Sequence, residues 1–235
     1  MGYRLYLSID LCSFGYAMKK EEQIQKTAHY VRSSFACEGS GHDWWHLYRV
    51  WQMAKQIAAK EGGRLFIIEM AALLHDMDDW KLGSQSESKG MAWMTQIGLD
   101  EQHRTQIQTI INQISFKGAE VDTGPGSIEA CIVQDADRLD AMGAIGIART
   151  FAYGGHKGRL IYDPKVQPEM HASFSEYQKS TAPTINHFYE KLLLLKDRMN
   201  TKTAKKIAVK RHRFMETYLE HFFREWNMEE QTLTS

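Results

Sequence analysis

Cysteine is scarce in this sequence, and the three that occur, Cys12, Cys37 and Cys131, stand too far apart to form a CxxC pair. Their spacing excludes a disulfide framework and a cysteine zinc ribbon, and it is typical of a reducing compartment. No apolar run approaches the roughly 18 residues that a membrane-spanning helix needs. The segment up to Tyr16 carries Asp10 inside its apolar part, which makes it a poor signal peptide. We therefore expect a cytoplasmic protein with no membrane contact.

An excess of either charge is also missing, because 29 basic residues balance 29 acidic ones. A neutral chain has no global field that would attract nucleic acid or a membrane surface. The local exception is Lys191–Phe214, which carries nine basic residues and the single acid Asp197. Such a run is more often the solvated face of a helix than a nucleic-acid contact. We do not expect nucleic-acid binding, although a contact with a polyphosphate tail stays open.

Hairpin signals, which are alternating apolar runs joined by paired turn residues, are missing as well. The sequence instead predicts an all-α fold: one compact helical bundle over residues 18–235, preceded by an extension, residues 1–17. That extension is either a flexible tail or the result of an upstream start, and it is given no role. The predicted helices are Glu21–Cys37, Asp43–Glu61, Leu65–Asp76, Lys89–Ile97, Glu101–Ile114, Ile128–Tyr153, Pro183–Asn200 and Thr201–Asn227. Residues 154–181 form a long irregular segment, whose length is typical of a functional lid or of partial disorder.

One of the ten histidines lies on an apolar helical face. At about 100° per residue, Val50, Met53 and Ile57 share the side of the helix on which His46 lies. The imidazole of His46 should therefore point into the core, where it needs a partner such as a metal ion. His42 lies one turn earlier on nearly the same face and competes as a ligand. Either histidine could instead bond a backbone carbonyl.

A second candidate site ends the very apolar run Met70–Leu74, where His75 and Asp76 stand side by side. An adjacent His-Asp pair can chelate one cation only where the backbone bends, and a helix end provides that bend. Asp78 and Asp79 follow within a turn. Acids at the C-terminal end of a helix face an unfavourable dipole unless a cation is near. The alternative is a solvated acidic turn.

A third cluster lies inside an otherwise apolar helix and contains Asp135, Asp137, Arg138 and Asp140. Buried carboxylates are costly unless they are paired or bound to a metal. Asp137 and Asp140 share a face, while Asp135 points elsewhere. Because this helix is apolar on several sides, its periodicity leaves open which acid would bind a metal. An Asp–Arg structural network is the alternative, and it could coexist with a metal.

A histidine, a His-Asp pair and an acid near position 137, on three helices, resemble the HD-domain superfamily of metal-dependent phosphohydrolases. The likeness runs from about residue 43 to residue 146. It implies the metal ligands His46, His75, Asp76 and Asp137, supported by Asp135, Arg138 and Asp140. The string from Asp135 to Gly146 looks like the small single-domain bacterial branch of that superfamily. In that branch, nucleoside-triphosphate pyrophosphohydrolase activity is the best-supported idea.

This chain differs from other branches of the HD-domain superfamily, and the differences predict a single metal ion as the cofactor. Between Asp76 and Asp137 the only histidine is His103, too few for the bridging ligands of two-metal relatives. The stringent-response hydrolases carry Glu-Asp where this chain has Asp79 and Trp80, so we do not expect their activity. Mixed nitrogen and oxygen ligands favour a divalent transition metal. Mn is the first choice, with Ni, Fe, Co, Zn or Mg as alternatives.

Two imidazoles and two carboxylates leave two positions open on a six-coordinate ion, one for water and one for a phosphate oxygen. We predict Asp79 as the general base, with Asp78 as the alternate. Phosphoryl transfer also needs cations near the developing charge. The predicted substrate contacts are Lys81, Lys117, Arg149, Lys157 and His187.

These features predict a mononuclear phosphohydrolase that converts nucleoside triphosphates to monophosphate and pyrophosphate. A 5′-nucleotidase or other phosphomonoesterase is one alternative, and a non-catalytic nucleotide-binding sensor is another. The expected partner is a small phosphorylated molecule, first of all a nucleotide. A homodimer is compatible with the sequence.

Overall fold

The computed structural model describes residues 18–35, 43–77, 88–114, 124–170 and 181–229. All regular structure within these ranges is helical, which confirms the all-α prediction. In chain order the helices are α1 (Lys20–Ser34), α2 (Trp44–Glu61), α3 (Leu65–Leu74), α4 (Lys89–Gln96), α5 (Glu101–Ile114), α6 (Ile128–Asp140), α7 (Gly143–His156), α8 (Asn186–Glu190) and α9 (Lys202–Trp226). A 3₁₀ helix, Leu192–Arg198, lies between α8 and α9. The predicted extension, residues 1–17, falls outside the described ranges.

Helix α3 forms the centre of the bundle. All of its residues from Ile67 to Leu74 are buried, and α1, α2, α5 and α6 pack around it. A helix enclosed on every side has to be apolar all round, which explains the nearly unbroken apolar run in its sequence. Its one acid, Glu69, is buried with a carboxylate oxygen 3.7 Å from the Lys55 ammonium. No helix in the described ranges is both long enough and apolar enough to cross a bilayer.

Short polar side chains cap the start of five of the described helices. The side chains of Asp43, Ser88, Asp100, Ser127 and Thr201 each accept a backbone N–H from the first turn of α2, α4, α5, α6 and α9, respectively. These N-caps satisfy amides that have no partner inside the helix. At α2 the bonded amide is that of His46, at 2.8 Å from the Asp43 carboxylate, so the cap also fixes the turn that carries this histidine.

The predicted single helix Ile128–Tyr153 is wrong, because it is two helices. The first, α6, ends at Asp140, and α7 starts at Gly143, whose φ of +71° lies in the left-handed region that favours glycine. The break turns the chain back, and Arg149 reaches Asp140 with a nitrogen–oxygen distance of 2.8 Å. Nine residues of continuous helix would separate their backbones by about 13 Å along the axis.

The predicted helix Pro183–Asn200 is also wrong, since only the short helix α8 and the 3₁₀ helix occupy that stretch. The two are separated at Lys191, whose φ of −144° and ψ of −57° are not helical. Helix α7 extends to His156, three residues into the segment predicted to be irregular. After it, residues 157–170 contain turns and bends without a helix, as predicted, and 171–180 lie outside the described ranges.

Candidate metal centre

Three helices that pack against one another, α2, α3 and α6, bring the predicted ligands together. His46 Nε2 lies 3.4 Å from Asp76 Oδ2 and 3.5 Å from Asp137 Oδ1. His75 Nε2 lies 3.4 Å from Asp76 Oδ1 and 3.8 Å from Asp137 Oδ1. One ligand atom each from His46, His75 and Asp137 can be chosen so that all lie within 4.8 Å of one another. This separation suits the coordination of a single ion.

The local fold explains why each side chain faces this point. His46 lies in the capped first turn of α2 and is almost fully buried. Helix α3 ends at Leu74, and the amide of Met77 bonds back to the Leu74 carbonyl at 3.0 Å, so the chain bends at His75 and Asp76. Asp137 lies in the last turns of α6. The bend allows two adjacent side chains to point at one place.

Hydrogen bonds fix which nitrogen of each imidazole faces the cluster. His46 Nδ1 lies 2.8 Å from an Asp140 oxygen, and His75 Nδ1 lies 2.9 Å from the Ala72 carbonyl. An ionised carboxylate and a carbonyl can only accept, so both Nδ1 atoms carry a proton, and in the neutral imidazoles both Nε2 atoms present lone pairs. The buried His75 Nε2 has no hydrogen-bond partner among the described residues.

Lone pairs that face carboxylates repel unless positive charge lies between them, so this donor set fits a divalent cation. The groups around His46 also shift its pKa. Burial lowers that pKa, as does the charge of Arg149, but hydrogen bonds with Asp140 and Asp76 and the charge of Asp76 outweigh them, and the net pKa is raised. The centre therefore attracts either a proton or a metal ion, and the two compete for His46.

Asp140 joins the metal centre to two arginines. Besides His46, it accepts hydrogen bonds from Arg49 at 2.7 and 3.0 Å and from Arg149 at 2.8 Å. Burial alone would raise the pKa of Asp140, but the hydrogen bonds from His46 and Arg49 and the nearby charges hold it well below its usual range. The carboxylate stays ionised and can orient His46 throughout the physiological pH range.

The other two predicted supporting residues act elsewhere. Asp135 is fully buried and accepts hydrogen bonds from the amides and side chains of Asn200 and Thr201, all at 2.8–2.9 Å. Burial raises its pKa, and these bonds oppose that rise. Arg138 donates to the carbonyl of Arg198. Both residues tie α6 to the chain just before α9, and these contacts do not involve the histidines.

The predicted substrate contacts are scattered. Arg149 lies beside the centre through its bond with Asp140. Lys157 is exposed just after α7, with its Nζ 5.7 Å from the ring centre of Tyr153. His187 is half-buried on α8. The competing ligand His42, the predicted bases Asp78 and Asp79, and the cations Lys81 and Lys117 lie outside the described ranges.

Two further cations near the centre are not among the five predicted substrate contacts. Arg49 lies one turn after His46, on the side of the helix where the sequence places it. Lys191 is half-buried, and burial lowers its pKa against the opposing charge of Asp137. In the sequence Lys191 belongs to the basic run and directly follows the segment of the predicted contact His187, and it lies between Phe188 and Leu192, two buried apolar residues.

Comparison with known proteins agrees with this geometry. The HD domain family model matches residues 44–142. The crystal structure of an HD-superfamily hydrolase from Bacillus thuringiensis is 47% identical, covers 89% of this chain and 99% of that chain, and has a TM-score of 0.69. A Lactobacillus plantarum structure is 38% identical over 90% of this chain and 100% of its own, with a TM-score of 0.80.

A third relative is YpgQ of Bacillus subtilis. It is 40% identical over 202 residues, which cover 84% of this chain and 91% of YpgQ. Its crystal structure in complex with ADP has a TM-score of 0.71, with 36% identity over 88% of this chain and 97% of that chain.

The helical bundle, its buried His/Asp site and the likeness to an HD-superfamily hydrolase together place the chain in the class of metal-dependent hydrolases. Within that class, the chain belongs to the HD-domain family.

Proposed function

We propose that this protein is a mononuclear phosphohydrolase that hydrolyses nucleoside triphosphates to a nucleoside monophosphate and pyrophosphate. The observation that carries the proposal is the approach of ligand atoms from His46, His75 and Asp137 to within 4.8 Å of one another. Two imidazoles and a carboxylate at this separation can share one divalent ion.

His46, His75, Asp76 and Asp137 would hold that ion. Mixed nitrogen and oxygen ligands suit Mn first, with Ni, Fe, Co, Zn or Mg as alternatives. When bound, the ion supplies the Lewis acidity that makes water a nucleophile near neutral pH and polarises a phosphoryl oxygen. The carboxylate of Asp140 keeps His46 in the tautomer whose Nε2 can donate its lone pair.

The nucleotide part of the proposal is supported by a relative and by charge. YpgQ has been crystallised with ADP, and it shares 40% of its aligned residues with this chain. Arg149, ion-paired to Asp140 at 2.8 Å, brings a cation to the edge of the centre. A guanidinium there can stabilise the negative charge that spreads over phosphate oxygens during transfer.

The reaction needs one water molecule. Its oxygen bonds to the α-phosphorus while the bond from that phosphorus to the bridging oxygen breaks, and pyrophosphate leaves with the bond's electron pair. We assign the proton of the attacking water to the carboxylate of Asp79, four residues after His75, with Asp78 as the alternate acceptor. This assignment remains a prediction from the sequence.

Product analysis tests the proposal. The full chain is stripped of metal, reconstituted with Mn²⁺ and incubated with nucleoside mono-, di- and triphosphates. We expect monophosphate and pyrophosphate from the triphosphates. Release of inorganic phosphate would instead identify a nucleotidase or phosphomonoesterase, and nucleotide binding without turnover would identify a sensor. Either of these results contradicts the proposal.

The ligand assignment has a matched pair of variants. His75→Ala removes a buried imidazole at the centre, whereas His103→Ala removes an imidazole on α5 that bonds to Asp100. We expect His75→Ala to lose metal and turnover and to keep its helical content, and His103→Ala to keep all three. Elemental analysis that finds the same metal content in both variants would contradict the assignment of His75.

A further inference from the structure

A row of polar side chains leads away from the metal centre along α7. Arg149, Tyr153 and Lys157 are spaced four residues apart and therefore share one face. Lys157 continues the helical pattern, because its amide bonds to the Tyr153 carbonyl at 3.0 Å. At 1.5 Å per residue the row is about 12 Å long. Its inner end is Arg149, which bonds to Asp140.

Two cations meet one aromatic ring at the outer end of this row. Lys157 Nζ and Arg159 Cζ each lie 5.7 Å from the ring centre of Tyr153. Arg159 is turned back toward the helix, since its amide bonds to the Gly154 carbonyl at 2.8 Å after a turn at Gly158 with φ of +65°. Cation–π contacts of this kind hold both charges near the ring.

Lys191 approaches the inner end of the row from another element. The charges of Asp137 and Arg149 act on its ammonium, as does Tyr153. Its backbone is held in place because Phe188 and Leu192 on either side are buried in the core. The Phe188 ring packs 6.1 Å from that of Phe151 on α7.

The contact between α7 and the chain before α8 leaves no free space. A Cβ on Gly154 would lie 2.2 Å from the Thr184 hydroxyl oxygen, so only glycine permits this approach. The amides of Thr184 and Ile185 bond to the carbonyls of Leu160 and Ile161 at 2.8 and 3.0 Å. Lys191 is therefore carried by a segment that is fixed against α7.

We propose that Lys191, Tyr153, Lys157 and Arg159 form, with Arg149, a binding track for a polyphosphate chain. In this α7 track, Lys191 binds the phosphate group next to the metal centre, and Lys157 and Arg159 bind the outermost phosphate. The track rests on the proposed function in one respect: it starts from a phosphoryl group at the metal centre.

Charge supports an anionic ligand along this row. Lys191 and Arg149 repel each other, and Arg138 adds to the repulsion on Lys191. Phosphate oxygens between like-charged groups would turn this repulsion into charge-assisted hydrogen bonds.

Binding of inorganic anions tests the track without a base or sugar. The metal-loaded full chain is titrated by calorimetry with monophosphate and with the bis-methylene analogue of tripolyphosphate, whose bridges resist hydrolysis. We expect Lys191→Met to weaken binding of the tripolyphosphate analogue at least about tenfold. Lys196→Met, which removes the same charge from the adjacent 3₁₀ helix, should bind it as the wild type does.

The outer end has its own variant. Lys157→Gln combined with Arg159→Gln should weaken binding of the tripolyphosphate analogue severalfold and leave monophosphate binding unchanged. Metal content, measured by elemental analysis, should equal that of the wild type in every variant. These substitutions lie after the end of α7, so they also test the track if Lys191→Met fails to fold.

Equal affinity of the wild type and Lys191→Met for the analogue would overturn the track, as would equal weakening by Lys196→Met or a lack of binding by the wild type. A wild type that binds the analogue through Lys191 but hydrolyses no nucleotide would leave the track standing and refute the proposed function. Turnover of triphosphates that does not depend on Lys191, Lys157 or Arg159 would support the proposed function and refute the track.

Discussion

His46 uses its two ring nitrogens for different tasks. Nδ1 faces the Asp140 carboxylate at 2.8 Å, and Nε2 faces Asp76 and Asp137. The orientation of the ring thus depends on an acid that Arg49 and Arg149 keep ionised. Metal affinity at such a site depends on the residues behind the ligands as well as on the ligands themselves.

Replacing this acid tests that dependence. In Asp140→Asn the side chain keeps its size but loses the charge that balances Arg49 and Arg149 beside His46. We expect metal affinity to fall about 10- to 100-fold, because the two arginine charges then oppose a cation at the centre. Competition with a metal-sensitive dye measures the affinity. Asp100→Asn, the same change at an exposed acid that pairs with His103, should have no effect on metal affinity.

The raised pKa of His46 leads to a prediction about pH. A metal needs the neutral imidazole, and the imidazole is protonated below its pKa. Because hydrogen bonds with Asp140 and Asp76 raise that pKa, metal affinity should begin to fall at a higher pH than for an ordinary histidine. Affinities measured between about pH 8 and pH 5 check this. An affinity that is constant over that range would contradict it.

At the scale of elements, the turn between α6 and α7 decides which side chains reach the centre. The turn directs α7 back toward the end of α6, and Arg149 on α7 therefore reaches Asp140. The turn depends on Gly143, where φ is +71° and an added Cβ would lie 3.1 Å from Arg211 Cγ. Arg211 itself donates to the carbonyl of Leu139, so it has little freedom to move away.

Gly143→Ala should therefore destabilise the protein. A left-handed conformation costs a residue with a Cβ about 1–2 kcal/mol, and the contact with Arg211 adds to that. Urea unfolding measures the change in the free energy of unfolding. Gly155→Ala is the matched control, since an added Cβ there meets no atom within 4 Å and alanine is a better helix former. An equal free energy of unfolding in the two variants would contradict the role of Gly143.

The same helices and turns explain which parts of the fold and of the site could be predicted from the sequence. The helices and the inward direction of His46 follow from local periodicity, which acts within one helix. The prediction of one helix over Ile128–Tyr153 failed because the turn at Gly143 leaves both flanks helical in pattern. The positions of Arg149 and Lys191 depend on that turn and on the break after α8, so local patterns could not give them.

The assignment of ligands has a different basis. Periodicity left Asp135, Asp137 and Asp140 open, and only the likeness to a known family chose between them. The structure brings Asp137 toward both histidines and directs Asp135 to Asn200 and Thr201. Which acid of a buried helix faces a partner depends on the packing of neighbouring helices, and that packing is not encoded within one helix.

For the whole molecule, the centre joins the helices that form the core. His46, His75 and Asp137 lie on α2, at the end of α3 and on α6, which pack against each other. An ion shared by three helices binds only the folded chain, because unfolding separates its ligands. Binding that is selective for the folded state raises the free energy of unfolding.

Metal removal should therefore lower thermal stability. At a free metal concentration about 100 times Kd, the stabilisation is about 2.7 kcal/mol. For a chain of this size that corresponds to a fall in Tm of about 5–10 °C on chelation. Scanning calorimetry with and without a chelator measures the shift. The His75→Ala protein should show no chelator effect, and a shift of equal size in that variant would mean that the stabilising metal binds elsewhere.

The turn at Gly143 also divides the chain into a part that carries the proposed ligands and a part that carries the proposed substrate cations. The ligands that we propose, the last of which is Asp137, all precede the turn, and the match of the HD family model ends at residue 142. The cations that we assign to the substrate, Arg149 and Lys191, come after it. From this assignment we expect substitutions in the second part to change which anions bind and to leave the helices that carry the ligands unchanged. A single turn thus allows metal binding and anion selection to be altered separately in one chain.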